Sequence, residues 1–326
     1  MSFQNIAGNG HVKKILRLAL QKRRVPNSLL FSGPDGVGKR KTALVLAKAL
    51  NCLRETDDSC DVCDNCRAID NGNFPDVIEI APERDVIKVE QMPVIKQMAY
   101  LKPMIGRKRV FIVDRADKMN DESGNSVLKV LEEPPLFSHI ILISDNQAFI
   151  LPTIKSRCQT LNFLPIAKEE IEQALRDLGL EEEKARIMAL LVRGNLERAK
   201  ALDWDDIQRR RQEAWDLFLA LIGQEGPPSF LRKFAFQRRN VVKEDLEQTL
   251  ELFSSFCRDL LLMKEGGPAG LLFNPDYEHL LRDTEPVLGL DQALRWLGLI
   301  DQAVANLDRN LNMNVLVSSF TSQVLG

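Results

Sequence analysis

A glycine-rich loop near the amino terminus has residue types that bind phosphate. Residues 33–39 read Gly-Pro-Asp-Gly-Val-Gly-Lys and match the pattern Gly-x-x-x-x-Gly-Lys. Glycines allow backbone N–H groups to turn towards a phosphate chain, and the lysine reaches its terminal groups. The loop follows an apolar run and precedes a helical pattern, which favours a nucleotide-binding loop. Its candidate nucleotide-contacting residues are Gly33, Gly36, Gly38 and Lys39.

Two arginines stand where a nucleotide-hydrolysing site needs other groups. Arg40 replaces the Ser or Thr whose hydroxyl binds Mg²⁺, and a guanidinium has only hydrogen-bond donors. Asp114 ends an apolar run, either as a second Mg²⁺ ligand or as a cap of the strand end, but Arg115 follows it instead of a water-polarising glutamate. These residues predict a degraded hydrolytic site. Three interpretations stay open: a purely structural loop, ATP or ADP bound without efficient turnover, and a competent ATPase.

The tripeptide Ser156-Arg157-Cys158 is a candidate for chemistry on a neighbouring subunit. It follows the phosphate loop and the acidic strand end, in the order in which ring ATPases place an arginine finger. Such a planar cation stabilises charge that develops on a neighbour's γ-phosphate. We predict three catalytic residues that act in trans: Arg157 as the arginine finger, together with Ser156 and Cys158. The alternatives are a structural ion pair for Arg157 and a small core residue for Cys158, as for Cys257.

Four of the six cysteines lie close together, just after the helical pattern that follows the phosphate loop. Their spacing, C-x₇-C-x₂-C-x₂-C, brings four thiolates within reach of one tetrahedral ion. We predict a structural Zn²⁺ site; an iron–sulfur cluster and free thiols are the second and third alternatives. The predicted ligands are Cys52, Cys60, Cys63 and Cys66. Acidic residues crowd the same loop and are expected to keep it solvated: Asp57, Asp58, Asp61 and Asp64.

The elements that must position these groups alternate between strands and helices in the first half of the chain. Short apolar runs predict five strands, at residues 28–32, 76–80, 109–113, 139–144 and 160–163. Helical patterns separate them, including those at 11–24 and 41–50, so parallel βαβ units are expected. From Pro165 onwards the pattern is helical, beginning with residues 168–179 and with breaks at 223–228 and 266–268. The predicted fold class is α/β followed by all-α.

Composition limits the class of protein further. The 326 residues suggest two or three domains, and 44% hydrophobic with 28% charged residues is typical of a globular protein. No apolar run of about 18 residues predicts a membrane span, and the amino terminus lacks a secretory pattern, so we expect a cytoplasmic protein without membrane contact. The net charge of −2 excludes a global basic field. Two basic runs, 209–211 and 232–239, are expected to be solvated helix faces.

Taken in their order, five motifs resemble the bacterial clamp-loader subunits of the gamma/tau and delta-prime type, which are AAA+ proteins. The motifs are residues 3–8, the phosphate loop, the four cysteines, residues 128–135 and residues 156–158. They cover residues 1 to about 165, and the helical remainder carries few diagnostic residues. In the gamma/tau branch the loop carries Lys-Thr and the acidic strand ends in Asp-Glu. Arg40 and Arg115 depart from both patterns, which points to the delta-prime type.

The resemblance implies a domain organisation and a set of partners. It implies an AAA+ domain with a five-stranded parallel sheet over residues 1–164, a zinc module at about 52–66, a helical lid over 165–206 and a helical C-terminal collar for oligomerisation over 207–326. It also implies a heteropentamer with delta and gamma/tau subunits that loads the sliding clamp on primed DNA during replication. The assembly is part of DNA polymerase III, a nucleotidyltransferase. The chain itself is expected to lack polymerase activity and efficient ATPase activity.

Other family positions carry weaker implications. The lid motif Gly-x-x-Arg is altered, because Glu197 takes the arginine position and Arg198 comes one place later. Ser144 and Asp145 lie near the first sensor position. Within the run 128–135, the leucines are expected in the core, whereas the two glutamates could face a subunit boundary.

Three functions stay open from the sequence. The first is a non-motor clamp-loader subunit that supplies Arg157 in trans. The second is a gamma/tau-type ATPase, which Arg40 and Arg115 oppose. The third is a DNA-binding zinc protein with a vestigial nucleotide fold, which the near-neutral charge opposes.

Overall fold

The computed structural model describes residues 1–54, 57–84, 86–192, 194–222, 243–284 and 286–308. The chain divides into two compact units, residues 1–200 and 201–326. The boundaries expected at 164/165 and 206/207 stay predictions. The basic run 232–239 and the break at 223–228 lie outside the described residues.

A five-stranded parallel sheet forms the centre of the first unit. Its strands are β1 (Ser28–Ser32), β2 (Val77–Ile80), β3 (Arg109–Val113), β4 (Ser138–Ser144) and β5 (Gln159–Asn162). Their spatial order is β2-β3-β4-β1-β5, and every pairing is parallel. All residues of β1, β3 and β4 are buried, as expected for strands covered on both faces. The five predicted strands are confirmed to within two residues at each end.

Helices cover the two faces of this sheet and continue beyond it. The helices before the last strand are α1 (Gly10–Gln21), α2 (Lys39–Asn51), α3 (Asp64–Asp70), α4 (Pro93–Met98), α5 (Asp121–Glu132) and α6 (Pro152–Lys155). Those that follow it are α7 (Lys168–Asp177), α8 (Glu182–Leu191) and α9 (Leu196–Ala201). Leu131 of α5 is buried against the sheet and Leu128 is partly buried, so their predicted core position is confirmed.

A buried ion pair fixes the amino ends of β2 and β3. Arg109 is 1% exposed and donates through Nη2 to Asp76 Oδ1 at 2.8 Å. Asp76 also accepts backbone N–H groups of residues 104–106, and these hydrogen bonds lower its pKa although burial raises it. Because both charges are buried, removal of either one would leave the other uncompensated.

The second unit is helical where the structure describes it. It contains α10 (Trp204–Leu221), α11 (Lys243–Lys264), α12 (Glu278–Thr284) and α13 (Leu290–Asp308). Its core is aromatic, with close ring contacts among Trp215, Phe218, Phe253, Phe256 and Trp296. No helix within the described ranges is both long enough and apolar enough to cross a membrane.

One predicted solvated face in this unit is wrong at Arg211. Arg209 is 57% exposed, as expected, but Arg211 is fully buried. Its guanidinium donates to both carboxylate oxygens of Asp276, at 2.8 and 2.6 Å, and lies over the ring of Tyr277. The bidentate ion pair and the aromatic contact compensate for the loss of water around the charge.

Candidate functional site

The phosphate loop lies at the carboxyl edge of the sheet, between β1 and α2. Gly36 and Gly38 have φ values of 72° and 91°, which residues with a side chain rarely adopt. A Cβ atom added at Gly36 would lie 1.7 Å from Asn195 Oδ1. The loop therefore has the predicted glycine-dependent backbone, with a side chain from the helical segment after β5 packed directly against it.

The ammonium group of Lys39 forms hydrogen bonds only with groups of its own chain. The side chain is 4% exposed, and Nζ donates to the carbonyls of Gly33 and Pro34, at 2.6 and 2.5 Å, and to Asp145 Oδ1 at 2.7 Å. An ammonium group has three donors, so all of them are used. A phosphate could bind this lysine only in exchange for these contacts.

Arg40 lies beside two acidic residues of neighbouring strands: Glu79, within β2, and Asp114, which directly follows β3. Its Nε and Nη2 donate to Glu79 Oε2 at 2.9 and 2.6 Å. Burial raises the pKa of Asp114, and the positive charge of Arg40 opposes that shift. The guanidinium therefore places a positive charge near Asp114, and it has no lone pair with which to bind a metal ion.

Arg115 takes a left-handed conformation, with φ at 49°. Its backbone N–H donates to Asp114 Oδ1 at 3.1 Å, and its Nε lies 3.9 Å from Asp145 Oδ2. Asp145 therefore lies between the cations of Lys39 and Arg115. A water molecule near Asp114 would have a cation as its neighbour instead of the carboxylate base expected there.

The helical segment after β5 is tied to the same region by further contacts. Glu170 Oε2 accepts the backbone N–H of Gly8 at 2.7 Å, and Lys41 forms an ion pair with Glu197. Asn195 Oδ1 caps α9 by accepting the backbone N–H of Arg198 at 2.8 Å. Glu197, which takes the arginine position of the altered lid motif, thus faces the first turn of α2.

Arg157 follows α6 and is held by a glutamate from the end of α5. Its Nε donates to Glu132 Oε1 at 2.6 Å, and Nη2 forms an ion pair with the same carboxylate. Nη1 donates to the carbonyl of Thr153 at 2.9 Å and to Ser156 Oγ at 3.1 Å. The side chains of Arg157 and Glu132 are 32% and 46% exposed. The guanidinium is therefore oriented but accessible from solvent.

Arg157 and the phosphate loop lie at opposite edges of the sheet. Arg157 precedes the amino end of β5, whereas the loop follows the carboxyl end of β1, and these two strands are parallel neighbours. A strand rises about 3.3 Å per residue, so the five residues of β1 separate the two edges by roughly 13 Å. A phosphate bound at Lys39 would be out of reach of Arg157 in the same chain.

The two residues that flank Arg157 have different roles. Ser156 is exposed, accepts from Arg157 and donates to the carbonyl of Thr153 at 3.1 Å. Cys158 packs against the core of the first unit, and burial raises the pKa of its thiol to about 12. Ser156 thus helps to orient the guanidinium, whereas Cys158 contributes packing instead of an ionised thiolate. Cys257 is fully buried, as expected for a core residue.

The four clustered cysteines are brought together at the junction of α2 and α3. Cys52 follows the last residue of α2, Cys63 precedes α3, and Cys66 lies in its first turn. All four Sγ atoms lie within 4.8 Å of one another, and those of Cys60 and Cys66 are 4.0 Å apart. Ligands about 2.3 Å from a tetrahedral zinc ion would be separated by about 3.8 Å. The cluster therefore has the donors and the spacing for one metal ion.

A buried lysine ties this cluster to α2 and to the amino terminus. Lys48 is 1% exposed, and its Nζ donates to Asp61 at 2.5 Å, to Asp70 at 2.6 Å and to the carbonyl of Met1 at 2.9 Å. Asp58 is also buried and accepts the backbone N–H of Phe3 at 3.0 Å. The expectation that these acids keep the loop solvated is wrong for Asp58, because its carboxylate serves as a buried hydrogen-bond acceptor.

Sequence reasoning missed several partners in these sites. The sequence alone shows only that Asp145 lies near a sensor position, because its contact with Lys39 depends on the pairing of β1 with β4. The sequence gives no indication that Asn195 packs against Gly36 or that Glu132 pairs with Arg157, because the two residues of each pair are distant in sequence.

The strand order defines the class of this protein. β4 lies between β1, which leads into the phosphate loop, and β3, which ends before Asp114. A phosphate loop, an acidic strand end and an additional strand between them define a P-loop protein of the additional-strand class, to which AAA+ proteins belong.

Comparison with known proteins specifies the family within this class. A family model described as DNA polymerase III, delta subunit, matches residues 8–167. The delta′ subunit of DNA polymerase III from Bacillus subtilis is 30% identical over 278 residues, which are 84% of each chain. The chain therefore belongs to the family of DNA polymerase III delta′ subunits, which are bacterial clamp-loader proteins.

Similarities over a smaller part of the chain, or at lower identity, extend to other DNA polymerase III and clamp-loader proteins. The tau subunit from Escherichia coli is 36% identical over 197 residues, covering 59% of this chain and 30% of that protein. Among solved structures, a gamma subunit-related protein from Thermotoga maritima is 18% identical over 96% of this chain and 98% of its own, with a TM-score of 0.42. The DNA clamp loader delta protein of B. subtilis is 12% identical over 96% and 99%, with a TM-score of 0.36.

Proposed function

We propose that this chain is the non-motor delta′ subunit of a clamp loader and supplies Arg157 to the ATP site of a neighbouring subunit. In this role it has a place in a cytoplasmic heteropentamer with delta and gamma/tau subunits, which loads the sliding clamp on primed DNA. Its own phosphate loop turns over no ATP efficiently. The observation that carries the proposal is the separation of Arg157 from the phosphate loop, at opposite edges of one sheet.

The degraded state of the chain's own site is supported by its contacts. Lys39 uses its three donors within the chain, Arg40 replaces a Mg²⁺ ligand, and Arg115 replaces a base. Each change removes a different requirement of phosphoryl transfer: phosphate binding, metal binding and activation of water. ATP or ADP bound there would be held weakly and without hydrolysis.

Action in trans is supported by the environment of Arg157. The guanidinium is partly exposed, and Glu132 and Thr153 hold its two ends. A finger needs this combination, because it must reach a neighbour's γ-phosphate while its orientation is already limited. An arginine that served only as an internal ion pair would not need to be accessible from solvent.

The cysteine cluster is proposed to hold one structural Zn²⁺. Four thiolates complete a tetrahedral shell without an open position for a substrate, so a catalytic role is not expected. The ion would join the end of α2, which is the helix that begins at the phosphate loop, to the start of α3.

ATP turnover by a reconstituted complex with clamp and primed DNA tests the proposal. Arg157→Ala in this chain should slow turnover by about tenfold or more, since arginine fingers contribute several orders of magnitude. Arg157→Lys should restore little of the lost turnover, because an ammonium group cannot form the two parallel hydrogen bonds of a planar guanidinium. Lys155→Ala, which removes a cation from the same segment, is the matched control and should leave turnover unchanged.

Two further measurements distinguish loss of the finger from a failure of the complex to assemble and from ATPase activity of this chain itself. Size-exclusion chromatography establishes that each variant still enters the complex, and the isolated chain should show no ATP turnover. Turnover by the isolated chain would support the gamma/tau-type ATPase instead. Normal turnover of an intact complex with Arg157→Ala would refute the finger and leave a passive scaffold.

A further inference from the structure

A cavity at the amino edge of the sheet contains cations that none of the sites above uses. It has a volume of about 650 Å³ and lies where β1, β3 and β4 begin. Four cationic side chains line it: Arg23, Arg24, Arg107 and Lys108. Among the described residues that line this cavity, none is acidic. Four cationic side chains around one cavity, in a chain with a net charge of −2, favour an anionic ligand.

His139 adds a buried polar atom without a partner to the same cavity. The residue lines the cavity and is 3% exposed. Its Nδ1 lies 3.1 Å from the carbonyl of Pro26, which can only accept, so Nδ1 carries a proton. Burial lowers the pKa of His139 to about 4, so the ring is neutral and Nε2 has a free lone pair. Nε2 is buried and has no hydrogen-bond partner among the described residues, which is uncommon unless a ligand or water pairs with the group.

The remaining walls are largely apolar. They include Leu20, Val25, Leu50 and Leu136, of which Leu136 is 84% exposed. Apolar walls combined with a few polar groups, in a volume between about 300 and 1,000 Å³, are typical of small-molecule sites. The cavity therefore combines an anion-binding part, an unpaired acceptor and an apolar surface.

We propose that this cavity binds a phosphorylated small molecule of nucleotide size, such as a nucleoside diphosphate. The phosphates would pair with the four cations, a hydroxyl or amino group of the ligand would donate to His139 Nε2, and the base would pack on the leucines. The site is distinct from the phosphate loop, because β1 separates the two by roughly 13 Å. The inference does not depend on the proposed role of Arg157.

Binding of ADP to the full chain, measured by isothermal titration calorimetry, tests the proposal. A Lys39→Ala background removes the phosphate loop as a competing site. ADP should still bind in this background, and the added double substitution Arg24→Glu with Arg107→Glu should weaken binding by about tenfold or more. Both arginines are exposed, so their replacement should leave the fold intact. Arg186→Glu with Lys200→Glu, an exposed pair with the same charge change, is the matched control.

Histidine NMR on the unsubstituted chain locates the ligand without any variant. The chain has three histidines, at positions 11, 139 and 279, so their ring signals are readily distinguished. ADP should shift the ring signals of His139 and leave those of His11 and His279 in place. A 5′-phosphorylated oligonucleotide distinguishes a free nucleotide from the phosphates of DNA.

The contradicting outcomes are equally specific. Loss of ADP binding in Lys39→Ala, together with unchanged His139 signals in the unsubstituted chain, would assign all nucleotide binding to the phosphate loop and refute the site. Binding of the oligonucleotide alone would refute a small-molecule ligand. Equal weakening in the charge-reversal variant and in its control would refute the role of the cavity cations.

Discussion

Arg157 and Glu132 are 25 residues apart in sequence and meet only through the packing of α5 and α6. Both side chains are about a third or more exposed. Exposed ion pairs contribute about 0–1 kcal/mol to stability, so this pair can exchange at small cost. A phosphate of higher charge is a stronger partner for a guanidinium than a carboxylate is. The observed pair is therefore compatible with a finger that leaves Glu132 when a neighbour's ATP is present.

Substitution of Glu132 distinguishes a finger from a structural ion pair. Glu132→Gln should change the free energy of unfolding by less than about 0.5 kcal/mol, because the pair is exposed. ATP turnover of the reconstituted complex should change by less than about fivefold, which corresponds to about 1 kcal/mol, whereas Arg157→Ala has the larger effect described above. Chemical denaturation and steady-state turnover measure the two quantities. Equal losses of turnover with Glu132→Gln and Arg157→Ala would identify the pair as structural.

Residue types alone were sufficient to propose where hydrolysis would be impaired. Arg40 and Arg115 are informative because no arginine can bind Mg²⁺ or accept a proton from water. The partners of Lys39 were not predictable in the same way. Asp145 and Asn195 reach the phosphate loop through strand pairing and through the segment after β5, and neither arrangement leaves a local pattern in the sequence.

At the scale of elements, β1, β3 and β4 were predictable because they are short, continuous runs of mainly apolar residues. Central strands of a parallel sheet are buried on both faces, so apolar residues run through them without alternating with polar ones. The ends of such a run therefore mark the ends of the strand. The burial of charged residues was harder to predict from the sequence than the positions of the strands. Arg109 begins β3 and Arg211 lies in α10, yet both are buried, since each has an acidic partner that is distant in sequence. Cationic residues are usually exposed, so sequence reasoning places such residues at the surface.

The junction of α2 and α3 yields a prediction about metal removal. Cys63→Ser, or extraction with a chelator, should release one zinc ion per chain, because one of four thiolate ligands is lost. The melting temperature should fall by about 5–10 °C, since metal binding stabilises only the folded state. Elemental analysis and thermal unfolding measure the two effects.

Cys158→Ala is the matched control for this substitution. Cys158 lies outside the cluster, so this variant should retain the full zinc content. Equal zinc contents in Cys63→Ser and in the unsubstituted chain would refute the proposed ligands. A purified chain with iron and inorganic sulfide in place of zinc would support the cluster alternative.

At the scale of the whole molecule, the charge distribution bears on the choice between a clamp-loader subunit and a DNA-binding zinc protein. The net charge is −2, and many of the cations with assigned contacts form ion pairs within the chain, such as Arg40 with Glu79 and Arg209 with Asp206. Binding to DNA without sequence specificity depends on lysines and arginines that neutralise phosphates and release counterions. A chain of this composition is not expected to bind DNA tightly by itself, and in the proposed complex the contact with DNA would come mainly from the other subunits.

The isolated chain should therefore bind primed DNA only weakly. We expect a dissociation constant above about 100 µM at 150 mM salt, because nonspecific DNA-binding proteins already reach about 1–100 µM under such conditions. Fluorescence anisotropy with a labelled primed template measures the affinity, and the reconstituted complex serves as the positive control. Salt-dependent binding below about 10 µM by the isolated chain, weakened by Arg24→Glu with Arg107→Glu, would assign the cationic cavity to DNA. That result would favour the DNA-binding zinc protein, since the chain would then bind DNA without its partners.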